Sequence, residues 1–123
     1  MKTRYGKKIS KKNLYKEFLR VLNGLLELSE REKEVLGILM SIDANWKPVT
    51  ENEIKNVLST DNRRALMQET RVNKTNLTKY TSLFKRKGIL VGDKTTGYYI
   101  NPMFMPKETS GIVEIVFVLD LEN

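Results

Sequence analysis

The sequence predicts a mainly α-helical domain carrying a small antiparallel β-sheet, an α+β fold, on three observations. Apolar residues recur at helical spacing around residues 14–25, 35–42 and 77–84. Two strings, Ser29-Glu30-Arg31-Glu32 and Thr50-Glu51-Asn52-Glu53, have the form of capping boxes, which mark helix starts. The run Gly92-Asp93-Lys94-Thr95-Thr96-Gly97 stands between Ile89-Leu90-Val91 and Tyr98-Tyr99-Ile100, the pattern of a β-hairpin.

The elements follow in order. Residues 1–11 are basic and poor in large apolar groups, which suits an arm that orders on a polyanion or a solubilising tail. Leu14, Phe18, Val21, Leu22 and Leu25 form the stripe of a first helix, in which Asn23-Gly24 is either a tolerated weak point or the end. Ser29 caps a second helix that buries Val35, Ile38, Leu39 and Ile42 and runs to about Ala44. Trp46-Lys47-Pro48-Val49 is short and extended, since Pro48 excludes a central strand position. The second capping box starts a short helix with Ile54, Val57 and Leu58 inward.

Ser59-Thr60-Asp61 caps a further helix over about residues 62–69, with Ala65 and Leu66 inward, and a turn at residues 70–73 leads to the next. In that helix Leu77, Tyr80, Thr81 and Phe84 fall at i, i+3, i+4 and i+7 and share one buried face. Gly88 sits where a C-terminal cap is wanted. Asn101-Pro102-Met103-Phe104-Met105-Pro106 ends the hairpin and excludes regular helix. Residues 112–121 are rich in β-branched side chains, with Val113, Ile115, Phe117, Leu119 and Leu121 on one side of a strand. That strand completes the hairpin sheet or pairs with a second copy of the chain, giving a homodimer. The organisation is an arm over 1–11, one domain over 12–101 and a tail over 102–123.

The chain has 123 residues, 22 Lys plus Arg against 15 Asp plus Glu, and a formal net charge of +7, which favours a polyanionic partner. Cysteine and histidine are absent, which excludes disulfides, thiol nucleophiles, imidazole bases and the usual zinc sites. Glu30, Glu32 and Glu34 are spaced by two on a helix and cannot share one site. No glycine-rich phosphate loop or acidic metal pair is present, so no catalysis and no cofactor or metal is expected. The basic N-terminus lacks the apolar core of a signal peptide and no stretch approaches ~20 apolar residues. A cytoplasmic protein with no membrane partner is expected.

The chemistry is concentrated on the helix of residues 74–86. Thr75, Lys79, Ser82 and Arg86 fall at i, i+4, i+7 and i+11, a row of hydroxyls and cations without a carboxylate. Such a row suits phosphates and base edges, with Asn76 and Arg86 capable of bidentate base contacts and Lys79 of a phosphate or guanine contact. Thr78 lies on the same helix. Arg71, Lys74, Lys85, Arg86 and Lys87 supply sequence-independent phosphate contacts, and Lys94 at the hairpin tip reaches an adjacent groove or backbone. The alternative is an ordinary solvated face, but solvated faces normally mix their signs.

A cation-faced helix between Val72 and Gly88 that feeds a hairpin ending at Gly97 resembles the recognition helix and wing of winged helix-turn-helix proteins, over about residues 29–101. The resemblance implies a second helix of the motif in the DNA major groove and a wing against a neighbouring groove. It departs from the family where helix-turn-helix motifs often carry glycine and alanine, places taken here by Arg71 and Met67. The strings Asn73-Lys74-Thr75-Asn76-Leu77-Thr78-Lys79-Tyr80 and Gly97-Tyr98-Tyr99-Ile100-Asn101-Pro102 also resemble replication proteins of small plasmids and phages, and multidrug-type repressors. The implied partner is double-stranded DNA, in transcription regulation or replication initiation of a bacterium or its phage. A second expectation is a protein adaptor that docks on a polymerase or a replication assembly through its C-terminal strand.

Overall fold

The computed structural model describes residues 8–10, 13–109 and 111–113. Helices α1 (Leu14–Leu26), α2 (Glu30–Asn45), α3 (Thr60–Thr70) and α4 (Lys74–Arg86) precede a hairpin of β1 (Leu90–Asp93) and β2 (Gly97–Ile100). A 3-10 turn over Pro102–Phe104 then leads to β3 (Glu108–Thr109) and β4 (Ile112–Val113), a separate antiparallel pair. The fold is α+β, in a winged-helix-like order. Among the described residues no helix is long and apolar enough to cross a membrane.

Local chemistry sets the helix ends. Ser29 Oγ accepts from the Glu32 amide at 3.2 Å while Glu32 Oε1 accepts from the Ser29 amide at 2.8 Å, the expected capping box of α2. The Asn73 carboxamide oxygen accepts from the Asn76 amide at 2.8 Å and starts α4. At the other end of α4 the Gly88 amide donates to Lys85 O at 3.1 Å and the Ile89 amide to Phe84 O at 3.0 Å. This Schellman closure requires the left-handed backbone that Gly88 adopts, at φ 71°.

The core joins all four helices to the hairpin. Phe18, Leu19 and Leu22 of α1, Val35, Leu36, Leu39 and Met40 of α2, Leu66 of α3 and Leu77 and Phe84 of α4 are buried with Ile89, Leu90 and Ile100. The expected inward face of α4 is present, with Tyr80 half-buried beside it. On α1 the face is rotated: Leu19 and Leu26 are buried while Val21 and Leu25 are 46% and 62% exposed. Apolar residues cover more than half of that helix, so their spacing alone does not fix which side is buried. Asn23-Gly24 lies within α1, which ends at Glu27, a non-glycine residue at φ 52°.

Four expectations are corrected. No helix follows Thr50. Thr50–Glu53 is a turn closed by the Glu53 amide on Thr50 O at 3.2 Å, and Glu53 Oε2 accepts from the Val49 amide instead of capping a helix. Residues 54–58 then run beside β2, where the Val57 amide donates to Tyr98 O at 2.9 Å and the Tyr98 amide to Asn56 Oδ1 at 3.3 Å. Pairing with the hairpin outweighs an isolated helix too short to be stable, and leaves Ile54 60% exposed. Second, Ile54 therefore does not face inward as Val57 and Leu58 do, while Trp46 keeps the expected extended backbone at ψ 134°. Third, α3 turns Leu66, Met67 and Thr70 inward, and Ala65 faces out. Fourth, Ile112–Val113 pairs with Glu108–Thr109 rather than with the hairpin; the remainder of the expected strand, residues 114–121, lies outside the described residues, as do residues 1–7 and 11 of the arm.

One buried polar group ties these parts together. Asp43, 9% exposed near the end of α2, accepts from the Ile100 amide of β2 at 2.8 Å and from Lys55 Nζ at 2.9 Å. Burial, and then the nearby Asp43 charge, push the Tyr15 phenol above its ordinary pKa. Gly97 marks the close passage of the residue 55 backbone over β2. At φ 82° a side chain there would place Cβ 2.1 Å from Lys55 O.

Candidate nucleic-acid interface

The turn between α3 and α4 aims the row. Arg71 takes the left-handed conformation at φ 59°, a geometry that favours glycine. Thr70 holds it there: its hydroxyl donates to Leu66 O at 2.6 Å and accepts from the Val72 amide at 3.3 Å. The Arg31 guanidinium of α2 donates to the Thr70 carbonyl. With Val72, Leu77, Thr81 and Phe84 buried behind it, α4 has one orientation on the core.

All eleven residues expected from the sequence are exposed: Arg71, Lys74, Thr75, Asn76, Thr78, Lys79, Ser82, Lys85, Arg86, Lys87 and Lys94. The structure brings Thr75, Asn76, Lys79, Ser82 and Arg86 onto the free side of α4. Among the described residues no ion pair involves Lys74, Lys79, Lys85, Arg86 or Lys94, whereas Glu30, Glu34 and Asp61 are engaged by Lys33, Arg31 and Arg64 on their own helices. The first turn of α4 carries no acidic residue, although the positive end of a helix dipole favours one; α2 and α3 both have theirs. Lys74 stands in that place, so the end of α4 nearest Arg71 is positive twice over.

Three side chains are less free than the sequence suggests. Lys87 Nζ donates to the Leu26 carbonyl at 2.7 Å, supplying from a distance the cation that the last turn of α1 lacks. Thr78 donates its hydroxyl to Lys74 O at 3.0 Å. Lys85 Nζ lies 4.3 Å from the centroid of the Tyr98 ring, a cation–π contact that joins α4 to the hairpin. This also separates the paired tyrosines: Tyr98 packs inward against the core, and Tyr99 faces out.

The hairpin tip is shorter than its six turn-forming residues suggest, because Gly92, Asp93 and Gly97 belong to the paired strands and only Lys94–Thr96 turn. Asp93 Oδ1 accepts from the Thr96 amide at 2.7 Å, the Thr95 amide at 2.8 Å and the Thr96 hydroxyl at 3.0 Å. These bonds, the Thr96 amide foremost, hold its carboxyl below the ordinary 3.8. An ionised Asp93 therefore stands next to Lys94, and the tip is less cationic than the lysine alone implies.

Arg63 and Arg64 on α3 are exposed beside Lys74 and extend the cationic surface. Their signal in the sequence is the adjacent pair of arginines, a short way ahead of Arg71, the first of the expected contacts. Together α3 and α4 present hydroxyls, the exposed Asn76 carboxamide and unpaired cations on a rigid frame, a combination suited to a polyanion with readable edges. No protein-family model, curated protein or solved structure matches the chain.

Proposed function

We propose that the chain is a sequence-specific double-stranded DNA-binding protein of the winged helix-turn-helix kind, acting in transcription regulation or replication initiation of a bacterium or its phage. The observation that carries this is the free side of α4, where Lys79 and Arg86 stand exposed and without a carboxylate partner among the described residues. A helix of 13 residues is about 20 Å long and fits the major groove, which is ~12 Å wide. In this role Asn76 and Arg86 read base edges, Lys79 takes a phosphate or guanine, and Arg71, Lys74 and Lys85 neutralise backbone. The hairpin, held to α4 by Lys85 on Tyr98, offers Lys94 and Tyr99 to the flanking duplex.

Selection of bound sequences from a random duplex pool at low salt tests the proposal. It predicts enrichment of a defined site, and a palindromic site would also imply a dimer. Retention of duplex without enrichment would contradict sequence specificity, and no retention at all would contradict the function.

A further inference from the structure

A cleft of about 300 Å³ opens between α3 and α4. Met67, Leu77 and Thr81 form its inner surface, Leu77 and Thr81 being buried and Met67 half-buried. Thr60, Thr78, Arg63, Arg64 and Lys74 line its mouth. No carboxylate lines the cleft. Arg63 and Lys74 enter no ion pair among the described residues, and Arg64 has only Asp61 at 3.9 Å, an exposed pair of little strength. Three like charges held around one small concavity repel one another, and the arrangement becomes favourable when an anion neutralises them.

The inner lining narrows the ligand. The Thr78 and Thr81 hydroxyls already donate, to Lys74 O and Thr78 O, so the donors left for an anion are the guanidinium and ammonium groups and the exposed Thr60 hydroxyl at the mouth. Arginines suit the several oxygens of a phosphate. Met67 and Leu77 behind them suit an apolar body of a few carbons, and the volume lies at the small end of small-molecule sites. We infer that this cleft binds a small organic phosphate, its phosphoryl group between Arg63, Arg64 and Lys74 and its apolar part against Met67 and Leu77. Because Lys74 and Thr78 belong to α4, an occupied cleft withdraws cations from the duplex and lowers DNA affinity. That regulatory half rests on the proposed contact of α4 with duplex; binding in the cleft does not.

The experiment is an amide-shift NMR titration of the full chain with phenyl phosphate, with potassium chloride of equal ionic strength as the control. Saturable shifts at Met67, Leu77 and Thr78, with affinity falling at least about tenfold in the double variant Arg63→Gln, Lys74→Gln, are the expected result. Both side chains are exposed and the structure gives neither a side-chain hydrogen bond, so the variant keeps its fold, which the remaining amide shifts verify. Unsaturable shifts, shifts reproduced by potassium chloride, or binding unaffected by the double variant would overturn the site. Shifts at these residues with duplex but none with phenyl phosphate would overturn it too, making the cleft a DNA-backbone contact. Duplex affinity measured with and without saturating phenyl phosphate is predicted to fall several-fold; an unchanged value would overturn the regulatory half alone. Absence of any duplex binding would end the proposed function without touching the titration.

Discussion

Replacing Asp43 by alanine removes the joint that sets the hairpin against α2. The carboxylate satisfies the Ile100 amide at 2.8 Å in a site where Ile100 itself is 1% exposed. Leaving that donor buried without a partner costs about 1–3 kcal/mol. The ion pair with Lys55, whose side chain is 33% exposed, adds no more than about 1 kcal/mol. The sum, about 1–4 kcal/mol, corresponds to a fall in Tm of roughly 4–16 °C for a domain of this size. Asp43→Asn keeps an acceptor for the Ile100 amide and should lose only about 1 kcal/mol. Urea unfolding of both variants gives the values, and hydrogen exchange at Ile100 shows whether the loss is local to β2. Stability of Asp43→Ala within about 0.5 kcal/mol of the parent, or equal losses in the two variants, would refute the role assigned to the carboxylate.

Lys87→Ala should cost up to about 1 kcal/mol in urea unfolding, because the α1 carbonyl of Leu26 loses its charged partner, while duplex affinity changes less than about twofold; a large loss of affinity without loss of stability would return Lys87 to the DNA-contacting set. At the hairpin tip, Asp93 has a lowered pKa, so the stability its hydrogen bonds contribute is complete above 3.8 and disappears as pH falls through the lower folded value. The Thr95 and Thr96 amide shifts should therefore titrate together with a midpoint below 3.8, and a midpoint at or above 3.8 would contradict the bonding at the tip.

What was legible in the sequence was local. The Ser29 box, the Ser59 cap, the Gly88 closure and the buried side of α4 each depend on residues within one or two turns of each other, and all appear in the structure as spaced. What was not legible depends on distant partners. Thr50-Glu51-Asn52-Glu53 has the same form as the Ser29 box, and only the passage of residues 56–57 along β2 decides that no helix follows. Asp43 reads as a polar residue at a helix end until Ile100, 57 positions away, gives it a buried donor. The α1 face was ambiguous because its apolar residues cover too wide an arc. In the candidate site the free row of α4 followed from periodicity, whereas the engagement of Lys87 by Leu26 required the packing of α1, 61 residues away. Arg63 and Arg64 were visible as a dibasic pair but joined the site only when α3 was set beside α4.

The central claim is that the free side of α4 meets duplex DNA through Lys79 and Arg86. Fluorescence anisotropy of a selected duplex, titrated with the parent chain and with the double variant Lys79→Ala, Arg86→Ala across a salt series, tests it most directly. Loss of one base-reading contact and one phosphate contact, each worth about 1–3 kcal/mol, predicts a fall in affinity of at least ~30-fold and a shallower salt slope, by about one for each phosphate contact removed. Equal affinity and an equal slope for the two proteins would contradict the account.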